Sequence, residues 1–320
     1  MKIWDLDENG EWTSSTEEQG SEWKAHLSSV TSLSWGHPEF GQLLATSGSD
    51  GFATIWEERA ESSGARSSAA RDAIGNQPAV AATKWKDRAK LADARKSLSC
   101  VKFAPRHLRL QIATGSADGW VRIYEAVDVM NLSQWLLQNT IKVETSSASD
   151  LGVTCLDWCS GRFEPPTLVV GDSSGNVNVY RYSDASKNWG LYLKLDGHTN
   201  PRRGVLDVAW SPDVGRSYHL ISSCGRDGVL RVHRLKKGSR PTGQEGDNRT
   251  GSGLQLESSQ QLDSESDTWR CAWNVTGTVL ASSGDSGVVK LWKSDFRGIW
   301  KCVADVHGTV RDQAAVPLAP

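Results

Sequence analysis

The eight residues SDGFATIW (residues 49–56) point to the fold of this 320-residue chain. They place an Asp-Gly pair before a short apolar segment that ends in a ring residue, five positions after the glycine. The arrangement returns as ADGWVRIY, SSGNVNVY, RDGVLRVH and DSGVVKLW, with turn glycines Gly119, Gly175, Gly228 and Gly287. Such dipeptides between apolar strands are typical of β-hairpins, because glycine accepts the positive φ of a tight turn. The chain therefore contains five hairpin repeats.

A second pattern precedes each hairpin. Apolar and aromatic residues alternate with polar ones, and a period of two indicates a strand whose alternate side chains share one face. The shared-face sets are Thr31-Leu33-Trp35, Ser99-Val101-Phe103, Thr154-Leu156-Trp158, Leu206-Val208-Trp210 and Trp269-Cys271-Trp273. A more polar fourth strand follows each hairpin. The sequence thus predicts repeats of four antiparallel strands.

Composition narrows the function classes. A net charge of -2 provides no field that would attract nucleic acid, so we predict no direct nucleic-acid partner. No apolar run approaches the ~20 residues of a membrane span, and the polar N-terminus lacks a signal-peptide core, so we predict a cytosolic or nuclear protein without membrane insertion. The six cysteines suit reduced, packed thiols better than a disulfide framework.

Four-stranded repeats closed by an aromatic residue resemble the WD-repeat β-propeller family. The resemblance is strongest where His26, Thr46, Asp50 and Trp56 occupy the positions of that family's buried hydrogen-bonding tetrad. In later repeats the pattern decays: Asp118 and Asp227 keep the turn carboxylate, Ser174 and Ser286 replace it, and His233 replaces the ring.

The predicted fold class is all-β: an open WD-repeat β-propeller with five complete blades and one N-terminally truncated blade. The blades are assigned to residues 1–24 (partial), 25–96, 97–145, 146–197, 198–264 and 265–306, followed by a tail at 307–320. Two polar, Gly/Ser-rich segments, 59–79 and 236–253, are predicted to be disordered loops.

Three long stretches resemble the Seh-type nucleoporins, close relatives of the Sec-thirteen coat protein. They are WGHPEFGQLLATSGSDGFATIWEE, VKFAPRHLRLQIATGSADGWVRIYEAVDVMNLSQWLLQ and WNVTGTVLASSGDSGVVKLWK. This resemblance implies an open six-bladed propeller that is completed by a blade from an α-helical scaffold nucleoporin.

The resemblance also implies a place in the Y-shaped subcomplex of the nuclear pore, beside other Y-complex nucleoporins at the nuclear envelope. It further implies a role in a TOR-regulating, coat-like complex at the vacuolar or lysosomal membrane surface. The alternative is a Sec-thirteen-type subunit of the vesicle coat for export from the endoplasmic reticulum.

A propeller hydrolase is the remaining alternative. Gly171 to Gly175 satisfies the G-x-S-x-G pattern of a nucleophile elbow, and residues 284–287 spell GDSG. An elbow needs a helix after the turn, whereas NVNVYRY alternates as a strand, so we predict no catalytic residues and no enzyme activity. Cys155 and Cys159 lack a second ligand pair at zinc-site spacing, so we predict no metal site and no cofactor.

Two expectations concern interaction surfaces and local structure. The last blade has no following blade in this chain, so Trp269, Trp292 and Trp300 are candidates to face a partner, with Trp292 also at the ring position of the repeat. The segment EAVDVMNLSQW predicts a short helix near residues 128–135.

The N-terminus MKIW repeats the end of the third strand VVKLW. Two inner strands of the first blade would then be missing, leaving Lys2 to Leu6 as an unpaired edge, a liability in native sheets. We therefore predict that Met1 is an internal residue of a longer natural protein, or that the gene model has lost a 5′ exon, and that ~25–40 residues forming two strands precede it, as a half-blade requires.

Overall fold

The computed structural model describes residues 1–6, 10–14, 23–60, 83–143, 152–198, 204–239, 252–263 and 267–308. Its chain forms two compact units, residues 1–143 and 144–320. Within the described residues the regular structure is β-strand, apart from two single-turn 3-10 helices at Pro38–Phe40 and Arg106–Leu108. The fold class is therefore all-β, as predicted.

The first unit holds one two-stranded and two four-stranded antiparallel sheets. We call them blade 1 (β1 and β2), blade 2 (β3 to β6) and blade 3 (β7 to β10). Their strands are β1 Trp4–Leu6, β2 Trp12–Ser14, β3 Val30–Trp35, β4 Leu43–Gly48, β5 Ala53–Ala60, β6 Thr83–Leu91, β7 Leu98–Phe103, β8 Gln111–Ser116, β9 Trp120–Ala126 and β10 Trp135–Lys142.

The second unit holds three four-stranded antiparallel sheets, each with its strands in chain order. They are blade 4 (β11 to β14), blade 5 (β15 to β18) and blade 6 (β19 to β22). Their strands are β11 Val153–Trp158, β12 Thr167–Asp172, β13 Val177–Ser183, β14 Asn188–Leu195, β15 Val205–Trp210, β16 Tyr218–Gly225, β17 Val229–Ser239, β18 Ser252–Asp263, β19 Thr268–Trp273, β20 Val279–Gly284, β21 Val288–Ser294 and β22 Trp300–His307.

The five hairpin turns have the predicted backbone. Each turn glycine has a positive φ, between 70° and 93°, which a residue with a Cβ adopts only with strain. In four of the five turns the residue before the glycine accepts the backbone N–H of the residue after it, as with Asp50 and Phe52 (3.2 Å) or Ser286 and Val288 (3.3 Å). A serine can therefore replace the aspartate in this role. In blade 4 the Asp172 carboxylate accepts the equivalent N–H, that of Asn176, at 2.8 Å.

The first strand of every four-stranded blade carries a β-bulge, which the alternation pattern did not predict. The strand register shifts by one residue at Thr31, Ser99, Thr154, Leu206 and Trp269. At three bulges the hydroxyl donates to a main-chain carbonyl of the next strand, as Thr31 does to Ser47 at 3.1 Å. A bulge breaks the two-residue period, so these residues do not simply extend the buried face.

Neighbouring blades pack face against face within each unit. In the first unit, Ala45 and Ile55 of blade 2 form one core cluster with Leu98 and Val101 of blade 3. In the second unit the same rule joins blade 4 to blade 5 and blade 5 to blade 6. The middle strands of one blade are therefore covered by the first strands of the next.

Three local expectations are corrected. Trp4–Leu6 is paired on one side, because β1 and β2 form an antiparallel ladder from Trp4↔Ser14 to Leu6↔Trp12. Residues 128–134 form a turn segment instead of a helix, and Trp135 already begins β10. The Asp128 carboxylate accepts the N–H of Met130 at 2.8 Å, and the Asn131 side chain accepts the Ser133 N–H at 3.3 Å.

The third correction concerns the predicted loops. β5 continues to Ala60 and β17 to Ser239, while β18 begins at Ser252, because both hairpin ladders extend beyond the predicted boundaries. Lys237 is held by Asp213 at 3.1 Å, and Leu254 is buried. The remaining loop residues, 61–79 and 240–251, and the tail beyond Gly308 lie outside the described residues. The predicted blade boundaries stay a prediction.

Candidate partner interface

The structure brings the four tetrad residues of blade 2 together. His26 Nδ1 lies 3.1 Å from both carboxylate oxygens of Asp50, and His26 Nε2 lies 2.8 Å from Thr46 Oγ1. The Trp56 indole N–H donates to the same hydroxyl at 3.0 Å. Because Asp50 favours a proton on Nδ1, Nε2 is left to accept the Thr46 hydroxyl proton. Every polar atom of this buried chain has a partner, which suits a structural role.

Against the effect of burial, hydrogen bonds from neighbouring groups lower the pKa of two turn carboxylates, Asp50 and Asp118. Burial acts to raise the pKa of Asp50, but hydrogen bonds from the Phe52 N–H and from His26 outweigh it and leave the pKa lowered. In blade 3, burial likewise acts to raise the pKa of Asp118, but hydrogen bonds from Arg122 and Ser116 outweigh it and lower the pKa to about 2. Both carboxylates therefore stay ionised near neutral pH and hold their turns.

Blade 5 contains a second tetrad that the sequence reasoning recognised only in part. His198 Nδ1 contacts Asp227 at 2.8 Å, and His198 Nε2 contacts Ser223 Oγ at 3.0 Å. Ser223 Oγ in turn lies 3.4 Å from Nε2 of His233, which stands at the ring position. Burial is the main cause that lowers the pKa of His233 to about 4, so this imidazole is neutral. Ser223 is the tetrad residue that was not predicted. It could have been found from its position two residues before the end of the second strand, where blade 2 has Thr46.

The two serine patterns lie in hairpin turns. Gly171 to Gly175 joins β12 to β13, and the buried Asp172 carboxylate there accepts N–H groups from Ser174 (2.9 Å) and Asn176 (2.8 Å). The GDSG stretch joins β20 to β21 in the same way. A nucleophile elbow is a strand–turn–helix element, and both stretches are strand–turn–strand.

The cysteines are thiols, and no disulfide joins any of the six. Cys155 and Cys159 are both buried, and burial raises the pKa of the Cys159 thiol to about 12, which disfavours the thiolate that binds metals. No cluster of three metal-ligating side chains occurs among the residues that the structure describes. In the same part of the chain, no helix is long and apolar enough to cross a membrane.

The last blade exposes a face that other blades bury; we call it the terminal face. It consists of Ala281, Val289, Leu291, Ala304 and Val306. Val289 pairs with Val306 across β21 and β22, and these side chains are 37% and 50% exposed.

The matching cross-strand pairs elsewhere are buried to 7% exposure or less. They are Ala53 with Leu91, Val177 with Leu195, and Leu230 with Leu262. Each of these pairs is covered by the first strands of the following blade. The terminal face thus has the composition of a covered face, while its side chains stay partly exposed in the part of the chain that the structure describes.

The first strand of blade 2 exposes the opposite kind of face, the one that normally meets the preceding blade. Leu33 is 53% exposed, whereas the equivalent Val101 and Val208 are at most 2% exposed. Trp35, 50% exposed, packs edge-on against Trp85 with ring centroids 5.7 Å apart. Among the described residues, each unit therefore includes a blade face with apolar side chains open to solvent.

The three candidate tryptophans of blade 6 have different environments. Trp292 is buried and donates to Ser282 Oγ at 2.9 Å, and Trp300 is buried against Trp273 with ring centroids 5.3 Å apart. Trp269 is 44% exposed, and its indole N–H donates to Asp285. Of the three, Trp269 alone presents an accessible ring, and a partner-facing role for these tryptophans stays a prediction.

Comparison with known proteins agrees with this architecture. The WD40 family (WD domain, G-beta repeat) matches residues 17–57, 86–125, 189–234 and 257–293. The chain is 38% identical over 317 residues to Nucleoporin SEH1 of Xenopus tropicalis, covering 96% of this chain and 79% of that protein. It is 39% identical over 321 residues to Nucleoporin SEH1 of Homo sapiens, with the same coverage.

Proposed function

Because the chain belongs to the SEH1 nucleoporin family of WD-repeat β-propellers, we propose that it is a scaffold subunit of the Y-shaped nuclear pore subcomplex. In this proposal it binds an α-helical scaffold nucleoporin at the nuclear envelope, and that partner contributes a blade in trans. The family is one of structural nucleoporins, so the proposal involves no catalytic step.

The terminal face is the observation that supports the proposal. Val289 and Val306 occupy positions that a following blade covers elsewhere in the fold. Because Val289 is 37% and Val306 50% exposed, completing their burial would contribute roughly 1 kcal/mol each, so an apolar sheet laid on this face would gain binding free energy without disturbing blade 6. A partner strand in which every second residue is apolar would match the alternating apolar side chains of the terminal face.

Affinity purification from the native source tests this proposal. Tagged wild-type protein is expected to copurify with Y-complex nucleoporins identified by mass spectrometry, and Val289→Asp is expected to reduce their recovery at least tenfold, because a carboxylate would be buried unpaired. Val214→Asp, a change at a 52% exposed loop position, is the matched control. Equal recovery with Val289→Asp would overturn the role of the terminal face.

We extend the proposal to the TOR-regulating, coat-like complex at the vacuolar or lysosomal surface. One terminal face can hold one trans blade, so a single copy would serve the pore or the TOR-regulating complex, never both at once. Tagged pore partners should therefore recover this protein without TOR-complex subunits. Recovery of endoplasmic-reticulum coat subunits alone would favour the Sec-thirteen-type alternative, and a hydrolase activity lost in Ser173→Ala or Ser286→Ala would favour an enzyme.

A further inference from the structure

A cavity lies at the seam between blades 5 and 6, away from the terminal face. Its floor is apolar and consists of Leu220, Val232 and Trp300, each at most 6% exposed. Tyr218 and Arg234 of blade 5 form one wall. The hairpin between β21 and β22 provides the other wall through Gly298. The cavity therefore opens between two elements of the same unit.

The Gln260 side chain fixes the geometry of the seam, because its amide makes the two hydrogen bonds that a neighbouring strand would make to the backbone. The Gln260 amide donates to the carbonyl of Trp300 at 3.0 Å, and its oxygen accepts the N–H of Trp300 at 3.0 Å. These two bonds fix β18 of blade 5 against β22 of blade 6. Because the walls do not have to rearrange, a ligand would bind without a large ordering cost.

The rim of the cavity carries positive charge. The guanidinium groups of Arg216 and Arg234 lie 5.5 and 3.9 Å from the Tyr218 ring centroid. Arg234 Nε lies 2.7 Å from a Glu257 carboxylate oxygen, and its side chain is 38% exposed. Arg297 precedes the lining residue Gly298 on the facing hairpin, and its guanidinium lies 5.3 Å from the Phe296 ring centroid.

One neighbouring carboxylate is already engaged. Asp295 accepts the N–H groups of Arg297 and Ile299, and it lies 3.9 Å from Lys301. Arg234 is the arginine that lines the cavity, and the guanidinium of Arg216 is already hydrogen-bonded to Ser211, Pro212 and Gly277. The cations named around the opening, Arg216, Arg234, Arg297 and Lys301, still outnumber the carboxylates of Glu257 and Asp295, on a chain whose formal net charge is -2. Local cationic character on an overall acidic protein favours an anionic ligand here.

Apolar surface borders the same opening. Phe296 is 92% exposed and Ile299 is 44% exposed on the hairpin that contains Gly298. A small inorganic anion would leave both this surface and the apolar floor unused. A peptide would cover them while its carboxylate pairs with the arginines.

We propose that the seam cavity binds a linear segment of a partner protein in which an acidic residue stands beside an aliphatic one. The aliphatic side chain sits on the floor of Leu220, Val232 and Trp300. The acidic side chain pairs with the guanidinium of Arg234, which is planar and suited to bidentate carboxylate contacts. This site shares no residue with the terminal face, so the two proposals fail or succeed separately.

Selection of a random phage-displayed dodecapeptide library on the purified full chain tests the proposal. Enriched peptides are expected to pair Asp or Glu with a neighbouring Leu, Ile, Val or Met. A fluorescein-labelled synthetic copy should bind at least tenfold more weakly to Arg234→Gln, and added salt should weaken its binding to the wild type. Arg109→Gln, at an 82% exposed arginine that also pairs with a glutamate, is the matched control and should bind like the wild type.

A second variant separates the apolar floor from the charge. Ser258→Trp should fill the cavity and abolish binding while leaving every charge in place, with folding checked by circular dichroism. Failure to enrich any peptide, enrichment of peptides without acidic residues, or unchanged binding to Arg234→Gln would overturn the proposal. Acidic peptides that still bind Ser258→Trp would show that the arginines act without the cavity, which would also overturn it.

Discussion

The tetrad of blade 2 depends on one hydroxyl. Thr46 Oγ1 partners both His26 Nε2 and the Trp56 indole N–H inside the blade, where Thr46 is fully buried. Removing that hydroxyl would leave two buried polar atoms unsatisfied. The stability of this repeat therefore depends on a residue that is easily mistaken for an ordinary strand threonine.

We expect Thr46→Val, which keeps the side-chain volume, to lower the free energy of unfolding by about 2 kcal/mol. Urea denaturation followed by tryptophan fluorescence measures this change. Thr276→Val, at an exposed turn position, is the control and should shift stability by less than about 0.5 kcal/mol. A Thr46→Val protein as stable as the wild type would show that the tetrad is dispensable.

His233 gives blade 5 a dependence on pH. Burial lowers its folded pKa to about 4, below the value of 6.5 that it has when unfolded. Between these values the unfolded chain binds a proton that the folded chain does not. The stabilisation is therefore complete above pH ~6.5 and is lost as the pH falls toward 4, by up to about 3 kcal/mol.

Comparison of the wild type with His233→Phe isolates this effect, since both proteins share every other titrating group. Unfolding free energies measured at pH 7.5 and 4.5 should fall further in the wild type than in the variant. Equal slopes for the two proteins would mean that His233 titrates normally in the folded state.

At the scale of the strand, equivalent positions of different blades contribute differently to the free energy of unfolding. Val289 and Leu230 occupy the same position of the third strand, yet Val289 is 37% exposed and Leu230 is fully buried beneath blade 6. We expect Leu230→Ala to lower stability by about 2–5 kcal/mol because it creates a cavity. Val289→Ala should lower it by less than about 1 kcal/mol in the isolated protein.

Thermal denaturation of the two alanine variants, alone and with a bound nucleoporin partner, measures this difference. In the complex the cost of Val289→Ala should rise toward that of a buried residue. A large destabilisation by Val289→Ala in the isolated chain would show that something already covers the terminal face.

Across the whole molecule, the cysteines report how closely the blades are packed. Five are buried, and Cys302 is exposed on β22, where its thiol donates to Asp305 at 3.2 Å. Partial burial and then the Asp305 carboxylate raise the pKa of Cys302, so its reaction with a disulfide reagent will be slower than that of a free cysteine.

We expect one thiol of the six to react with Ellman's reagent in the folded protein and all six to react in 6 M guanidinium chloride. Cys302→Ser should remove the single native reaction. Reaction of several thiols without denaturant would indicate that the seams between blades open readily.

Local patterns predicted the elements well. The Asp-Gly and Ser-Gly turns with glycine at positive φ, the alternating strands and the residues of the first tetrad are all evident from spacing, because each depends on neighbours within a few positions or on one repeated motif. The helix expected near residues 128–135 was wrong because Asx turns at Asp128 and Asn131 compete with helical hydrogen bonds.

The sequence by itself determined the all-β repeat architecture, since strand period and turn chemistry are local properties of the chain. Only the tertiary structure decided which equivalent side chains are covered, such as Leu230 under blade 6, and which are open, such as Val289. It also decided that Ser223 joins His198 and His233, and that Gln260 closes a seam against Trp300. Burial and side-chain hydrogen bonding depend on residues that are far apart in the chain. The periodicity within one repeat therefore cannot predict them.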